Sequence, residues 1–480
     1  MIELLWSLPI VTVAAIIASG RVGPVGSGLG GTICALAIGL TCAPLRLDFV
    51  GALLAAAKGI WLGSLVGAVI LGGLFFRAIV STGTVAPATT CAKRRRRQLF
   101  TACFLIGPFA ESATGYGVGQ VAIASMIRST GAKAMHAMLL GLFSQTLVPW
   151  GAMAIGTTVG AELSGVPART LGVHCAVLTA PLLFGWLIMY WRIATAAGTP
   201  GTITDLIGEF AWVVTIAALL VAANLLVGPE VAAMLALGPL IMLRLWNDEH
   251  ADPRQWQPAL RVGIPYAVLV VGLALTRSIP AIGNPLRDAL SFQPFNDSPS
   301  FAPLIHPSCW LVVVAILSAS VFGQVRDVGH AARQAWLVGR KSVMTIGLYL
   351  IMAQIMRGSG VASELAKGMR TLGPFAILTT PLLGATFGFL TGSANGSNGL
   401  LMVSQSALAM DNHFSVAWVA ALQTTAAAAL TMLSPVRLAM GCALAGSPGL
   451  ERSAYARAWP LGAVAVAILS IVAAVLLFLS

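Results

Sequence analysis

Apolar runs long enough to cross a bilayer follow one another along nearly the whole chain. A spanning helix needs about 20 largely apolar residues. Such runs lie at 3–19, 28–45, 59–82, 170–191, 209–227, 229–246, 260–277, 308–324, 341–357 and 459–479. Only 9% of the 480 residues are charged, and 58% are hydrophobic. A soluble domain carries roughly 25% charge, so this chain lacks the polar surface that water demands. A water-soluble enzyme, a disordered chain and a disulfide-stapled secreted domain are excluded. A membrane barrel is disfavoured too, because barrels show short alternating segments. The expectation is an all-α polytopic membrane protein, a single domain over 1–480 with about 12 transmembrane helices.

The net charge is +12. The basic residues sit in short gaps between apolar runs, which favours a topology signal over nucleic-acid binding. Lys93-Arg94-Arg95-Arg96-Arg97 is the strongest such signal and predicts a cytoplasmic loop. Walking outward along the chain places the gap at 326–341 and the gap holding Glu451, Arg452 and Arg457 inside as well, and 278–307 outside. The expected setting is an inner (plasma) membrane. The first run lacks a basic flank and reads as a retained helix. Cys34, Cys42, Cys91, Cys103, Cys175, Cys309 and Cys442 are scattered singly. No metal motif occurs, and no cofactor or metal is expected.

Two apolar stretches, 98–161 and 371–446, do not read as simple helices. The first holds Gly107-Pro108-Phe109-Ala110-Glu111-Ser112-Ala113-Thr114-Gly115-Tyr116-Gly117-Val118-Gly119. The second holds Gly388-Phe389-Leu390-Thr391-Gly392-Ser393-Ala394-Asn395-Gly396-Ser397-Asn398-Gly399. Each is followed by a Gln-Thr pair, at Gln145 and Gln423, and then by a proline break, at Pro149 and at Ser434-Pro435. Entered from opposite sides, two such units form inverted repeats with re-entrant hairpins, at 59–191 and 341–479. Backbone groups cannot stay unpaired in lipid, so breaks of this kind survive where protein or a wet cavity surrounds them. Broken helices also aim their positive N-terminal ends at a common point, which suits a small anion. The plainer reading of the glycines is close helix packing.

Glu111 is the acidic residue deep within a broken stretch. A carboxyl at membrane depth suits a group that takes up and releases a proton; the structural alternative is a helix cap. Arg437 can bind a carboxylate, snorkel to an interface or pair with Glu111. The candidate substrate groups are Ser112, Thr114, Gly115, Gln145, Thr391, Gly392, Ser393, Asn395, Ser397, Asn398, Gln423, Ser434 and Arg437. His136 and His174 read as packed histidines, Arg77 and Arg357 as anchors. Trp61, Trp186 and Trp191 read as interfacial belts.

The segments Gly107 to Gly117, Phe389-Leu390-Thr391-Gly392-Ser393 with Ser397-Asn398, and Met432-Leu433-Ser434-Pro435 resemble the lactate permease family. So does the spacing from Trp61-Leu62-Gly63 through Thr82-Gly83. The resemblance covers most of 50–460. It implies uptake of 2-hydroxy monocarboxylates such as lactate or glycolate, coupled to protons. It places Glu111 on the family's acidic hairpin residue and Thr391, Gly392, Ser393 and Asn398 on its polar tip. The sequence departs from the pattern at Ser112, Tyr116, Gln145-Thr146 and Gln423-Thr424-Thr425-Ala426-Ala427-Ala428. Partners implied are a small carboxylate, protons and the lipid bilayer; nucleic acid is not a partner, and a homodimer is compatible. The alternatives are a carrier of a longer carboxylate or a sulfonate, an anion channel, and an intramembrane enzyme. Enzyme chemistry lacks a convincing Ser–His, paired-Asp or zinc arrangement.

Overall fold

The computed structural model describes residues 2–80, 92–248, 253–446 and 449–479, apart from 116, 118, 121, 122, 124–126 and 128–131. Thr82-Gly83, Cys91, Tyr116 and Val118 therefore lie outside the described residues. Among the described residues the chain is helical, with one isolated bridge between Phe292 and Phe301. Eight helices are long and apolar enough to cross a membrane, or up to ten if each of two bent pairs is one span. Two shorter apolar helices, at Leu5–Ser19 and Pro307–Val321, accompany them.

The order begins with α1 (Ile2–Ser19), α2 (Pro24–Thr41) and α3 (Phe49–Val80). Then come α4 (Ala92–Thr101), a π-turn, α5 (Gly107–Thr114), α6 (Ala134–Gly141) and α7 (Gly151–Ser164). The middle holds α8 (Ala168–Ala196), α9 (Ile203–Val227), α10 (Pro229–Asp248), α11 (Pro253–Ser278), α12 (Pro280–Ala289) and α13 (Pro307–Val321). The last third holds α14 (Val328–Gly358), α15 (Val361–Gly368), α16 (Thr379–Thr391), α17 (Ala394–Asp411), α18 (Val416–Thr431), α19 (Pro435–Leu444) and α20 (Glu451–Leu479). Several starts are written in the sequence. Pro24, Pro307 and Pro435 occupy first helical positions, where no N–H is missed. Thr202 and Asp205 form a capping box at α9. The basic run is part of α4 and not a loop.

A glycine stripe fixes the architecture. Gly59 lies against the Ile351 backbone, Gly63 against Gly347 and Gly67 against Val343. Numbers rise on α3 as they fall on α14, so the two helices run antiparallel. Small residues four apart let backbones approach this closely. The α3 and α14 helices extend ten and thirteen residues before the apolar runs that announce them, because the stripe and its flanks carry Lys58, Arg333 and Arg340.

Lys58 bridges Asp297 at 2.6 Å, and Trp61 donates to the Pro299 carbonyl. Segment 278–307 thus sits beside the first half of α3. The basic α4 follows the other end of α3, where Gly339 of α14 packs on Leu71 and Leu74. Gly358, closing α14, lies near Ala55. The two broken stretches are therefore entered from opposite ends of the α3–α14 pair.

Both stretches fold back as hairpins. In the second, Thr380, on the first turn of α16, donates across to Gln405 on α17 at 2.7 Å. Ser397 reaches back to the Gly384 carbonyl. A continuous span could not bring residues 25 apart into register. The turn is Gly392, whose φ of 65° suits a residue without Cβ. In the first, Gly119 lies against the Gly107 carbonyl, and Gly107 also faces Ile123. The turn passes through Gly115 and Gly117, with φ of 69° and 79°.

Candidate functional site

Each hairpin turn abuts the start of a half-helix. A methyl on Gly115 would stand 2.7 Å from the Ala152 Cβ, and one on Gly392 3.1 Å from the Ser434 Oγ. One turn further on, each half-helix meets the other hairpin. Gly156 of α7 faces Asn395, and Gly160 faces Asn398 and Thr424. Reciprocally, Gly441 of α19 faces Gln120, and Met440 covers Gly117. Both proline breaks thus deliver a helix start to the interior. The α7 start is bent further: Ala152, Met153 and Ala154 all take left-handed φ, between 49° and 58°. Three such residues in a row are strained, which the surrounding packing must hold. Trp150, fully buried, is fixed there by a bond to Asn224 at 3.1 Å.

The first polar cluster brings together the residues singled out by their charge. Glu111 is 1% exposed. Arg437 Nη1 donates to Glu111 Oε1 at 2.9 Å and also to Gln145 Oε1. The Gly117 N–H donates to the same Glu111 oxygen at 3.2 Å. Of the three sequence alternatives for Arg437, pairing is the one realised. Ser434 caps α19 through the Arg437 N–H. Gln145 Nε2 donates to Ser144. Glu111 Oε2 is buried and has no hydrogen-bond partner among the described residues. One oxygen of the carboxylate is thus held while the other is left bare.

The second cluster is uncharged. Asn398 donates to the Gly156 carbonyl at 2.9 Å and to Thr424 at 3.1 Å. Gln423 donates to Ser397 at 3.0 Å. Their amide oxygens are buried without partners among the described residues. Asn395 flanks the same α7 backbone. Gln145 and Gln423 thus occupy corresponding places but serve different clusters.

Other candidates spend their hydroxyls locally. Ser112 donates to the Phe109 carbonyl and Thr114 to the Ala110 carbonyl, each on its own helix. Thr391 donates to the Phe387 and Ser393 carbonyls, and Ser393 caps α17. Gly115 and Gly392 shape the turns. His174 bonds the Thr170 carbonyl and packs edge-on to Trp418, the packed role expected of it. Trp186 is corrected: it is 1% exposed and bonds the Leu461 carbonyl, so it belongs to the core and not to an interfacial belt.

Two features escaped sequence reasoning. Gln120, fully buried beside Arg437, follows the last glycine of the first motif. An amide in an otherwise apolar stretch was the available signal. Arg96 of the basic run is 3% exposed, bound to Glu209 through two nitrogens at 2.9 and 2.8 Å. It also donates to the Thr199 carbonyl, and Trp191 donates to Glu209.

A family model described as L-lactate permease matches residues 274–480. The glycolate permease GlcA of Escherichia coli (strain K12) is 22% identical over 418 residues, covering 75% of this chain and 74% of its own. The L-lactate permease of the same organism is 25% identical over 427 residues, with the same shares. Among solved structures, the YdaH transporter of Alcanivorax borkumensis aligns over 99% of this chain and 98% of its own, at 16% identity and a TM-score of 0.48. The chain is a multi-pass helical bundle, and the relatives it matches over three quarters of its length are named permeases. Over its last two fifths the chain is similar to the L-lactate permease family model, and over three quarters of its length to individual permeases.

Proposed function

We propose that the protein is a proton-coupled symporter of a small organic anion, a 2-hydroxy monocarboxylate of the lactate or glycolate kind. The observation that carries this reading is Arg437, shared between Glu111 and Gln145, with one Glu111 oxygen bare. A substrate carboxylate and Glu111 compete for one guanidinium. Protonating Glu111 at Oε2 removes the competitor, and Arg437 then takes the substrate carboxylate. Proton and anion are bound together, and the site keeps the same net charge. Where protons are scarce, Glu111 ionises, reclaims Arg437 and expels the anion. The names of the Escherichia coli relatives, a glycolate and an L-lactate permease, support this substrate class.

In this reading 59–191 and 341–479 are the two repeats, and opening one hairpin against the other half-helix gives alternating access. The basic ends at 93–97, 326–341 and 451–457 face the cytoplasm of a cell's inner membrane. The test is uptake of labelled lactate and glycolate into proteoliposomes, with and without an inward proton gradient. Gradient-driven accumulation is expected. Accumulation of a longer carboxylate or a sulfonate instead replaces the substrate, and uptake indifferent to protons overturns the coupling.

A further inference from the structure

We infer that Gln120 reads the hydroxyl group of the substrate, making it the residue that separates a 2-hydroxy acid from its deoxy analogue. The inference rests on the reading that Arg437 takes the carboxylate.

Gln120 is fully buried. Its Nε2 donates to the Arg437 carbonyl at 3.4 Å. That bond sets which end of the amide faces α19, because two carbonyl oxygens turned to each other repel. Gln120 Oε1 is left without a donor among the described residues. It borders the ion pair: a methyl on Gly117 would stand 3.9 Å from it, and the Gly117 N–H is bonded to Glu111. An unpaired acceptor in a buried site is destabilising until a ligand supplies a donor. A ligand that carries an anion for Arg437 and an O–H on the adjacent carbon supplies both. A deoxy acid leaves Oε1 unpaired. A 2-keto acid sets a second acceptor against it. Discrimination by an unfilled hydrogen bond is stronger than discrimination by size.

The experiment compares L-lactate with propionate on the purified full-length protein, by ligand-induced thermal stabilisation and by proteoliposome uptake. Wild type is expected to prefer lactate by at least about tenfold. Gln120→Met fills the same volume without the amide, and Gln120→Asn keeps the amide but withdraws it by one methylene. Both are expected to bring the lactate-to-propionate ratio within about twofold while propionate binding persists, which also reports an intact fold. An unchanged ratio in both variants overturns the assignment. So does an equal loss of both acids, which marks a structural role. If wild type responds to neither acid, the failure lies earlier, in the carboxylate reading of Arg437, and the inference falls with it.

Discussion

Among the described residues, two arginine–glutamate pairs lie in the interior, and they are built differently. Arg96 meets Glu209 through two nitrogens and two oxygens, and the remaining contacts go to Thr199 and Trp191. Every carboxylate oxygen is engaged. Arg437 meets Glu111 through one nitrogen, which it shares with Gln145, and leaves Glu111 Oε2 bare. A saturated pair ties elements together, here α4 to α9. An unsaturated pair has room for another partner. In the proposed cycle, how completely the carboxylate is bonded, more than how deeply it is buried, makes the first pair a clamp and the second a switch.

The largest effect is expected at the clamp. Glu209→Ala leaves Arg96 buried and uncompensated, and a loss of about 3–5 kcal/mol in stability is expected. Yield and melting temperature of the detergent-purified protein report it. A variant that stays as stable as wild type would erase the distinction. At the switch, Glu111→Gln keeps the shape and removes the titratable proton. Proton-driven accumulation is expected to disappear, while counterflow exchange and most of the melting temperature survive. Accumulation at the wild-type level would remove Glu111 from the coupling. A smaller effect belongs to Ser434→Ala, which strips the cap that aims α19. A cap is worth about 1 kcal/mol, so a modest fall in melting temperature with weaker substrate affinity is expected. The smallest effect is at the exposed pair. Lys58→Ala breaks its bridge to Asp297, whose carboxyl is held below its usual range by that hydrogen bond. Such surface pairs contribute about 0–1 kcal/mol. What Lys58 contributes is present above the ordinary aspartate range and fades as pH falls through the lowered value. A melting temperature differing little from wild type at neutral pH, and less still in acid, is expected.

Much of this was legible in the residues because charge is so scarce. Glu111 and Arg437 stand out in apolar surroundings, and the structure joins them. The two Gly-rich motifs announced hairpins, and contacts such as Thr380 to Gln405 bear them out. Other features are set by packing, which local sequence does not encode. Ala152, Met153 and Ala154 favour right-handed helix, yet Pro149, the anchored Trp150 and the hairpin turn at Gly115 enforce the opposite hand. In sequence Arg96 looks like its basic neighbours, and only its partner on α9, over a hundred residues away, distinguishes it. Trp186 carries the residue type of a membrane belt but turns inward to α20.

The reach of Arg437 from one half-helix to the opposite hairpin has a kinetic consequence for the proposed cycle. Empty, the carrier turns with Arg437 matched by Glu111; loaded with acid and proton, it turns with Arg437 matched by the substrate. With the proton alone or the anion alone, one charge is left unmatched in a low-dielectric cleft. The half-loaded turns are therefore the slow ones. The contact that selects the cargo also guards the gradient against slippage.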